Sequence, residues 1–482
     1  MKFNILIYGC QMNYADSARI KAVLENCGWE YVNSIDEADI VIFDSCSVRQ
    51  KSEDKITGKL KSIPKNKKIW ITGCMSGHYL KSYLGKKLVN GNFQGFLEGG
   101  NYKILGIDEN VKDMIYKNNN KISNLLPINN AFNPLFKKLH NTFPNLELMF
   151  RIDDIAMLPY ILENIGYSLG KKVEILENYL SIVPKSTNAL FVQGGKTAYV
   201  PIGNGCSHFC SYCIVPFARG LERFRPIDEI IKEVKVHLGN GVSEIVFLGQ
   251  IVNKHPEFVN ILKQTLKLEG LKRLRYTSPY PTLFNDEIYA LHENEQKLCP
   301  HIHMPLQSGS NDVLKRMNRG YTMDVAKEFI DKTYSLKRDI SLTTDIIVGF
   351  PDETDQDFQD TLDLVNYGRF DMQYIGIYSE RPRTLAAKKY PDNIPAKIKK
   401  QRRDVLTKIL KETSLENNQK EIGLIKEVMI TTSEDNQLVG YDDRMKNIII
   451  DYPFPDGIKK VGDYMNVKIT KPGSLKLFGE II

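Results

Sequence analysis

Three cysteines crowd into one octapeptide, Cys206-Ser207-His208-Phe209-Cys210-Ser211-Tyr212-Cys213. The Cys-x3-Cys-x2-Cys spacing delivers three thiolates from a single loop. A structural zinc wants four closed ligands. The fourth would have to come from elsewhere, because His208 would need to bend backwards inside the same loop. A 4Fe–4S cluster held by three cysteines instead leaves one iron open to a small molecule. Such an open iron is what a bound S-adenosylmethionine would require if its amino and carboxylate groups were to chelate it. One electron would then cleave the sulfonium and release a 5′-deoxyadenosyl radical. Zinc and iron–sulfur chemistry both remain open on spacing alone.

A second set of cysteines is dispersed. The apolar run Phe3 to Tyr8 ends in Gly9-Cys10, Ile40-Val41-Ile42-Phe43 ends in Asp44-Ser45-Cys46, and Lys68-Ile69-Trp70-Ile71-Thr72 ends in Gly73-Cys74. Helical patterns lie between these runs, Asp16 to Cys27 and Arg49 to Leu60. Alternating strands and helices with short links predict a parallel sheet. Its strand carboxyl ends share one edge, where ligands bind. Cys10, Cys46 and Cys74 therefore converge, unless they are simply three buried structural thiols. Cys27 has no such address and reads as core, and Cys299 reads as a non-ligand.

The rest of the chain must position these groups. It has 482 residues, 42% hydrophobic and 26% charged, which excludes a wholly disordered chain and predicts more than one domain. Eight cysteines are too few for a disulfide scaffold. No stretch approaches the roughly 20 apolar residues of a membrane span. The start reads as a first buried strand rather than a signal peptide, and a cytoplasmic protein without a membrane partner is expected. A net charge of +7, from 65 basic and 58 acidic residues, is too mild to demonstrate a polyanionic partner.

From about 79 to 145 the chain turns Asn- and Lys-rich and reads as an insertion. Asp153 to Ile165 reads as a helix interrupted at Pro159. Between 197 and about 380 six apolar runs alternate with helices such as Ile227–Leu238 and Phe358–Tyr367. The runs are Ala198–Ile202, Glu244–Leu248, Leu274–Tyr276, His301–Pro305, Ser341–Val348 and Met372–Tyr378, which suits a full or partial parallel barrel. Four short β-type runs after 420, at Glu427–Thr431, Asn447–Asp451, Met465–Ile469 and Leu475–Gly479, predict a small all-β barrel.

The cysteine octapeptide, with Tyr212 before its last cysteine, resembles the radical-SAM signature. Further stretches resemble the methylthiotransferase branch of that superfamily: Gly9-Cys10-Gln11-Met12-Asn13-Tyr14-Ala15-Asp16-Ser17, Ser45-Cys46-Ser47-Val48-Arg49, Gly73-Cys74-Met75, Leu248-Gly249-Gln250-Ile251-Val252-Asn253, Pro305-Leu306-Gln307-Ser308-Gly309-Ser310, Thr344-Asp345-Ile346-Ile347-Val348-Gly349-Phe350-Pro351 and Tyr378-Ser379-Glu380-Arg381-Pro382. The resemblance spans all but the insertion. It implies an α/β protein in three parts. Residues 1–190 would be a Rossmann-like domain holding an auxiliary 4Fe–4S cluster on Cys10, Cys46 and Cys74. Residues 191–415 would be a radical-SAM partial barrel with its cluster on Cys206, Cys210 and Cys213. Residues 416–482 would form a TRAM-like RNA-binding barrel. Asn204, Phe224 and Asp352 depart from the family's usual Arg, Ser and Gly.

The resemblance also implies contacts to S-adenosylmethionine. Tyr212 would pack near its adenine, Gln250 would meet the methionine amino group, and Gln307 and Ser308 would reach the ribose. Phe350 would cover the adenine, and Glu222 is a candidate for the methionine or ribose end. His301 and His303 alternate on one strand and read equally well as barrel-lining or functional.

Cys10-Gln11-Met12-Asn13 with Cys46-Ser47-Val48-Arg49 is similar to the enzymes that methylthiolate carbon two of N6-isopentenyl-adenosine beside the tRNA anticodon. Such an enzyme would bind a tRNA anticodon stem-loop, an electron donor such as flavodoxin or ferredoxin, and a sulfur source. The rivals are a methylthiotransferase for a ribosomal-protein aspartate or for threonylcarbamoyl-adenosine, and a zinc-containing RNA-binding protein. Residues 381–420 carry 12 basic and 4 acidic residues, net +8. Lys397, Lys399, Lys400, Arg402 and Arg403 would track phosphates there, or merely form a solvated face. Residues 420–482 carry 9 basic and 10 acidic residues, so an RNA role for that barrel rests on the resemblance.

Overall fold

A computed structural model describes residues 1–47, 55–56, 58–77, 139–170, 179–184, 195–434, 437–451 and 461–482. Val48, Arg49 and the insertion up to residue 138 lie outside the described residues. The chain divides into two compact units. The first is Met1–Ser186 with Asn204–Ser207 and Ile214–Arg225; the second is Thr187–Gly203, His208–Cys213 and Pro226–Ile482.

Runs of Ile, Val and Phe build a five-stranded parallel sheet in the first unit, in the order Glu30–Tyr31, Lys2–Tyr8, Ile40–Ser45, Lys68–Gly73, Leu146–Met149. Ile40–Ser45 is buried along its whole length, as a sheet covered on both faces requires. Its register sets Tyr8 beside Ser45 and Ser45 beside Gly73, so three strand ends are level and a cysteine follows each. The strand at Leu146–Met149 is one the sequence pattern did not mark. Pro159 does not interrupt a helix. It sits in the first turn of Leu158–Asn164, after a 3-10 turn over Ile152–Met157, where its missing N–H costs nothing.

The second unit has all six expected parallel strands, broken into two three-stranded sheets. Thr197–Pro201, Glu244–Leu248 and Arg273–Tyr276 form one, and His301–His303, Ser341–Val348 and Met372–Ile377 form the other. The amphipathic helices Ile227–Gly239 and Asp355–Gly368 lie close to their expected spans. Asp352, where the family usually has Gly, adopts φ 59°, a backbone region that favours glycine but that Asp tolerates.

Five strands close the terminal barrel around Val428, Ile430, Leu438, Ile448, Ile450, Val467, Ile469 and Leu477. Gln437–Tyr441 is the strand the hydrophobic pattern missed. Its Gly440 is obligatory, because a Cβ there would lie 2.3 Å from the Met429 carbonyl oxygen. A buried polar seam ties this barrel to the first three-stranded sheet. Arg275 donates to the carbonyls of Asp442 and Asp443, and the Tyr441 hydroxyl donates to Glu244 at 2.9 Å.

The net +8 segment is mostly the helix Ala396–Gln419. Burial corrects the expected phosphate-tracking face at two of its five positions. Lys399 is buried against Asp392, and Arg402 is buried between Glu353 and Asp355. These two cations anchor the helix to the core.

Candidate functional sites on two sets of thiols

In the first unit the level strand ends bring the Cys46 thiol into hydrogen-bond contact with both Cys10 and Cys74. Hydrogen bonding to Cys46, helped by the charge of Arg219, lowers the Cys10 thiol to about 6 and the Cys74 thiol to about 7. The same two contacts push Cys46 up. Cys10 is exposed, whereas Cys46 and Cys74 are buried.

The loops carrying these thiols are tightly built. Asn13 accepts from the Cys10 backbone N–H at 3.1 Å and donates to Asp44 at 2.7 Å. A Cβ at Gly9 would fall 2.0 Å from Asn13 Oδ1. Gly73 has φ +93°, and a Cβ there would meet the Ser45 carbonyl oxygen at 2.3 Å. Sequence spacing alone did not reveal Arg219. Fully buried, it donates to Cys74 Sγ at 3.1 Å, to Asn204 Oδ1 at 3.0 Å and to Asp16 at 2.7 Å. The signal available in sequence was Asn204 itself, an amide at a position where many members of the resembled family have Arg.

Cys206 also belongs to the first unit, where its backbone N–H donates to the Gly220 carbonyl at 3.1 Å. Gly205 before it has φ +83° and no room for a Cβ, which would lie 2.1 Å from the Leu221 carbonyl oxygen. The Glu222 backbone N–H donates to the Ser207 hydroxyl.

Cys210 and Cys213 lie in the second unit, both partly exposed. Arg319, which sequence reading also missed, donates to Cys210 Sγ at 3.3 Å and to the Pro305 carbonyl at 2.8 Å. It lies over the rings of Tyr280 and Tyr321. His208 points its Nε2 at the Tyr280 hydroxyl, 2.8 Å away, and at the Arg319 carbonyl, 3.2 Å away.

Tyr212 and Phe350 pack into one apolar cluster with Val313, Met317, Tyr378 and Ala386. Gln250 follows a strand end, and its buried Oε1 has no hydrogen-bond partner among the described residues. Gln307 holds φ 78°, pinned by backbone hydrogen bonds to Asp345 and Ile347. Ser308 is buried, and its hydroxyl accepts the Ser310 N–H at 3.2 Å. Cys27 and Cys299 are buried, and burial pushes their thiols up to about 11 and about 12, so neither offers a ready thiolate.

The Cys10, Cys46 and Cys74 donor set of the first unit fits a thiolate-bound cluster, and the second unit offers two further thiols, Cys210 and Cys213. Arg219 places a buried positive charge on a sulfur. Arg319 does the same, and its hydrogen bonds reach no carboxylate among the described residues. A buried guanidinium needs compensating negative charge, and beside Arg219 the lowered Cys74 thiol supplies part of it. The orphaned Gln250 Oε1 is what an incoming ammonium donor would satisfy. No group of three His, Cys, Asp or Glu is arranged around a single metal ion among the described residues.

Comparison with known proteins gives matching results. Residues 200–365 match the model of the Radical SAM superfamily, and residues 2–91 match that of the Uncharacterized protein family UPF0004. Two curated relatives carry the name tRNA-2-methylthio-N(6)-dimethylallyladenosine synthase. The protein of Syntrophomonas wolfei is 32% identical over 496 residues, covering 100% of this chain and 98% of its own. That of Moorella thermoacetica is 32% identical over 499 residues, again covering 100% and 98%.

Proposed function

Because the chain belongs to the tRNA-2-methylthio-N(6)-dimethylallyladenosine synthase family, radical-SAM methylthiotransferases that use S-adenosylmethionine and 4Fe–4S clusters, we propose that it methylthiolates carbon two of N6-isopentenyl-adenosine beside the tRNA anticodon. Cys206, Cys210 and Cys213 would hold the cluster that binds S-adenosylmethionine, and Cys10, Cys46 and Cys74 the auxiliary one. When bound, these groups supply a 5′-deoxyadenosyl radical and a methylatable sulfur.

The observation that carries this reading is the level register of three strand ends, which gathers thiols separated by up to 64 positions beside a buried arginine. One such set could be a structural metal site. A second on a loop of radical-SAM spacing makes two cluster sites in one chain, which suits sulfur transfer. Gln250 would accept from the methionine ammonium, and Tyr212 and Phe350 would provide an apolar wall for the adenine. Arg219 would hold the Cys74 sulfur as a thiolate, and Arg319 would donate to the Cys210 sulfur.

The substrate adenine has to be presented unstacked, so recognition of the anticodon loop rests on stacking and single-strand contacts. A cytoplasmic location, an electron donor such as flavodoxin or ferredoxin, and a separate sulfur source belong to the same proposal. No described helix is long and apolar enough to cross a membrane.

Mass analysis of tRNA nucleosides from a strain lacking the protein tests the reading. Isopentenyl-adenosine should persist without its methylthio group, and complementation should restore it. Unchanged nucleosides, with a ribosomal-protein aspartate losing its methylthio mass, would transfer the activity to that substrate.

A further inference from the structure

His301 and His303 find a setting on the second three-stranded sheet of the second unit. Alternation divides Ser341–Val348 into two faces. Thr344, Ile346 and Val348 are buried, whereas Asp345 and Ile347 are half-buried on the other face. The register sets His303 beside Thr343, and Asp345 beside Tyr374. One face therefore presents His301, His303, Thr343, Asp345, Tyr374 and Gly376.

A hydrogen-bond chain fixes these groups. His301 Nε2 lies 3.2 Å from the Thr343 hydroxyl, which lies 2.9 Å from His303 Nδ1. His303 Nε2 lies 3.3 Å from Asp345 Oδ2. A carboxylate accepts only, so His303 donates from Nε2 to Asp345, and the Thr343 hydroxyl bridges the two imidazoles. Burial and nearby cations keep His301 neutral, well below its ordinary range.

The chain ends at Asp345 Oδ1, an acceptor with no hydrogen bond among the described residues. Beside it the Tyr374 ring is 46% exposed and meets the His303 ring edge-on at 5.5 Å. Next along that strand, Gly376 leaves open room, since an added Cβ would meet only the Ile346 carbonyl oxygen, at 3.8 Å. Gln307, in the turn assigned to the cofactor ribose, is hydrogen-bonded to the neighbouring strand Ser341–Val348, at Asp345 and Ile347.

We infer that this face reads the target base. Tyr374 gives a planar surface for the purine, Asp345 Oδ1 accepts its exocyclic N–H, and the space over Gly376 admits the substituent on that nitrogen. The inference rests on the proposed tRNA reading and assigns its specificity to named residues. His303 and Thr343 are positioning residues that hold the carboxylate.

Reconstituted full-length protein and a synthetic anticodon stem-loop, with either isopentenyl-adenosine or adenosine at the target position, provide the test. Tyr374→Ala and Asp345→Asn should each weaken stem-loop binding on the order of ten-fold, with affinity for S-adenosylmethionine equal to wild type. Tyr374→Phe should restore binding. Gly376→Val should remove the preference for the isopentenyl form over plain adenosine. Wild-type stem-loop affinity in the Tyr374 and Asp345 variants would overturn the inference alone. So would weakened S-adenosylmethionine binding, which would give the face to the cofactor. A wild-type protein that fails to bind either stem-loop would overturn the tRNA reading itself.

Discussion

The two sets of thiols are assembled by opposite construction. Cys10, Cys46 and Cys74 depend on the register of a five-stranded sheet, while Cys206, Cys210 and Cys213 occupy one octapeptide. Each set has a buried arginine donating to a sulfur, but the arginines are compensated differently. Arg219 is paired with Asp16, which is wholly buried. Arg319 rests on tyrosine rings and a carbonyl. The sheet-built set thus has a carboxylate beside its arginine, and the arginine of the loop-built set has none among its hydrogen-bond partners in the described residues.

Removing the thiols separates the two sites most sharply. Replacing Cys206, Cys210 and Cys213 with Ala should roughly halve the iron of anaerobically reconstituted protein, from about eight atoms per chain, and abolish cleavage of S-adenosylmethionine. Replacing Cys10, Cys46 and Cys74 should also halve the iron while cleavage persists and methylthiolated product is lost. Full iron content in the second variant would dismiss the strand-end site. Zinc at one per chain with negligible iron would dismiss both.

This contrast also decides what could be read from sequence. The octapeptide was legible directly, because its spacing is local. The strand-end set needed the fold first, and the fold was legible because Ile40–Phe43 and its partners are β-branched and aromatic runs with short links. Leu146–Met149 was missed because only four residues follow a long Asn- and Lys-rich stretch, and Gln437–Tyr441 because Gly440 breaks its apolar pattern. Arg219 and Arg319 were invisible for another reason. An arginine in sequence reads as surface charge, and only a three-dimensional cage of sulfur, carboxylate and aromatic rings turns it inward. The same blindness produced the phosphate-tracking expectation for Lys399 and Arg402.

Substituting the arginines tests the difference in compensation. In cluster-free protein, Arg219→Met strands the Asp16 carboxylate and should cost about 3–5 kcal/mol in denaturant unfolding. Arg319→Met strands no acid and should cost about 1–3 kcal/mol, the scale of broken hydrogen bonds. Equal losses would show that Asp16 is not the group that distinguishes the two sites.

A titration should mark the second unit. Burial, then the Arg338 charge, lowers His292 from its ordinary 6.5 to about 3. Its Nε2 is 2.6 Å from the Tyr276 hydroxyl. The unfolded chain binds this proton near 6.5 and the folded one only near 3, so the stabilisation is complete above 6.5 and is lost as pH falls between those values. The loss approaches about 1.4 kcal/mol per pH unit. Denaturant midpoints from pH 7 to 4 should fall less steeply in His292→Asn than in wild type. Parallel slopes would mean that another group governs this acid sensitivity.

The smallest effect belongs to the helix Ala396–Gln419, where burial separates anchoring cations from solvent-facing ones. Lys397, Lys400 and Lys411 are exposed, unlike Lys399 and Arg402. If any part of this helix follows a phosphate backbone, it is the exposed set. Changing those three lysines to Glu should leave the thermal midpoint of the protein unmoved. Every phosphate that no longer meets a lysine should flatten the salt dependence of tRNA affinity by about 0.7 to 0.9 in the log–log slope. Arg402→Glu would instead set a carboxylate against Glu353 and Asp355 and lower the thermal midpoint, whatever its effect on RNA. An unchanged slope in the lysine variant would make the exposed side a solvated face, and tRNA recognition would then fall to aromatic and barrel surfaces rather than to this helix.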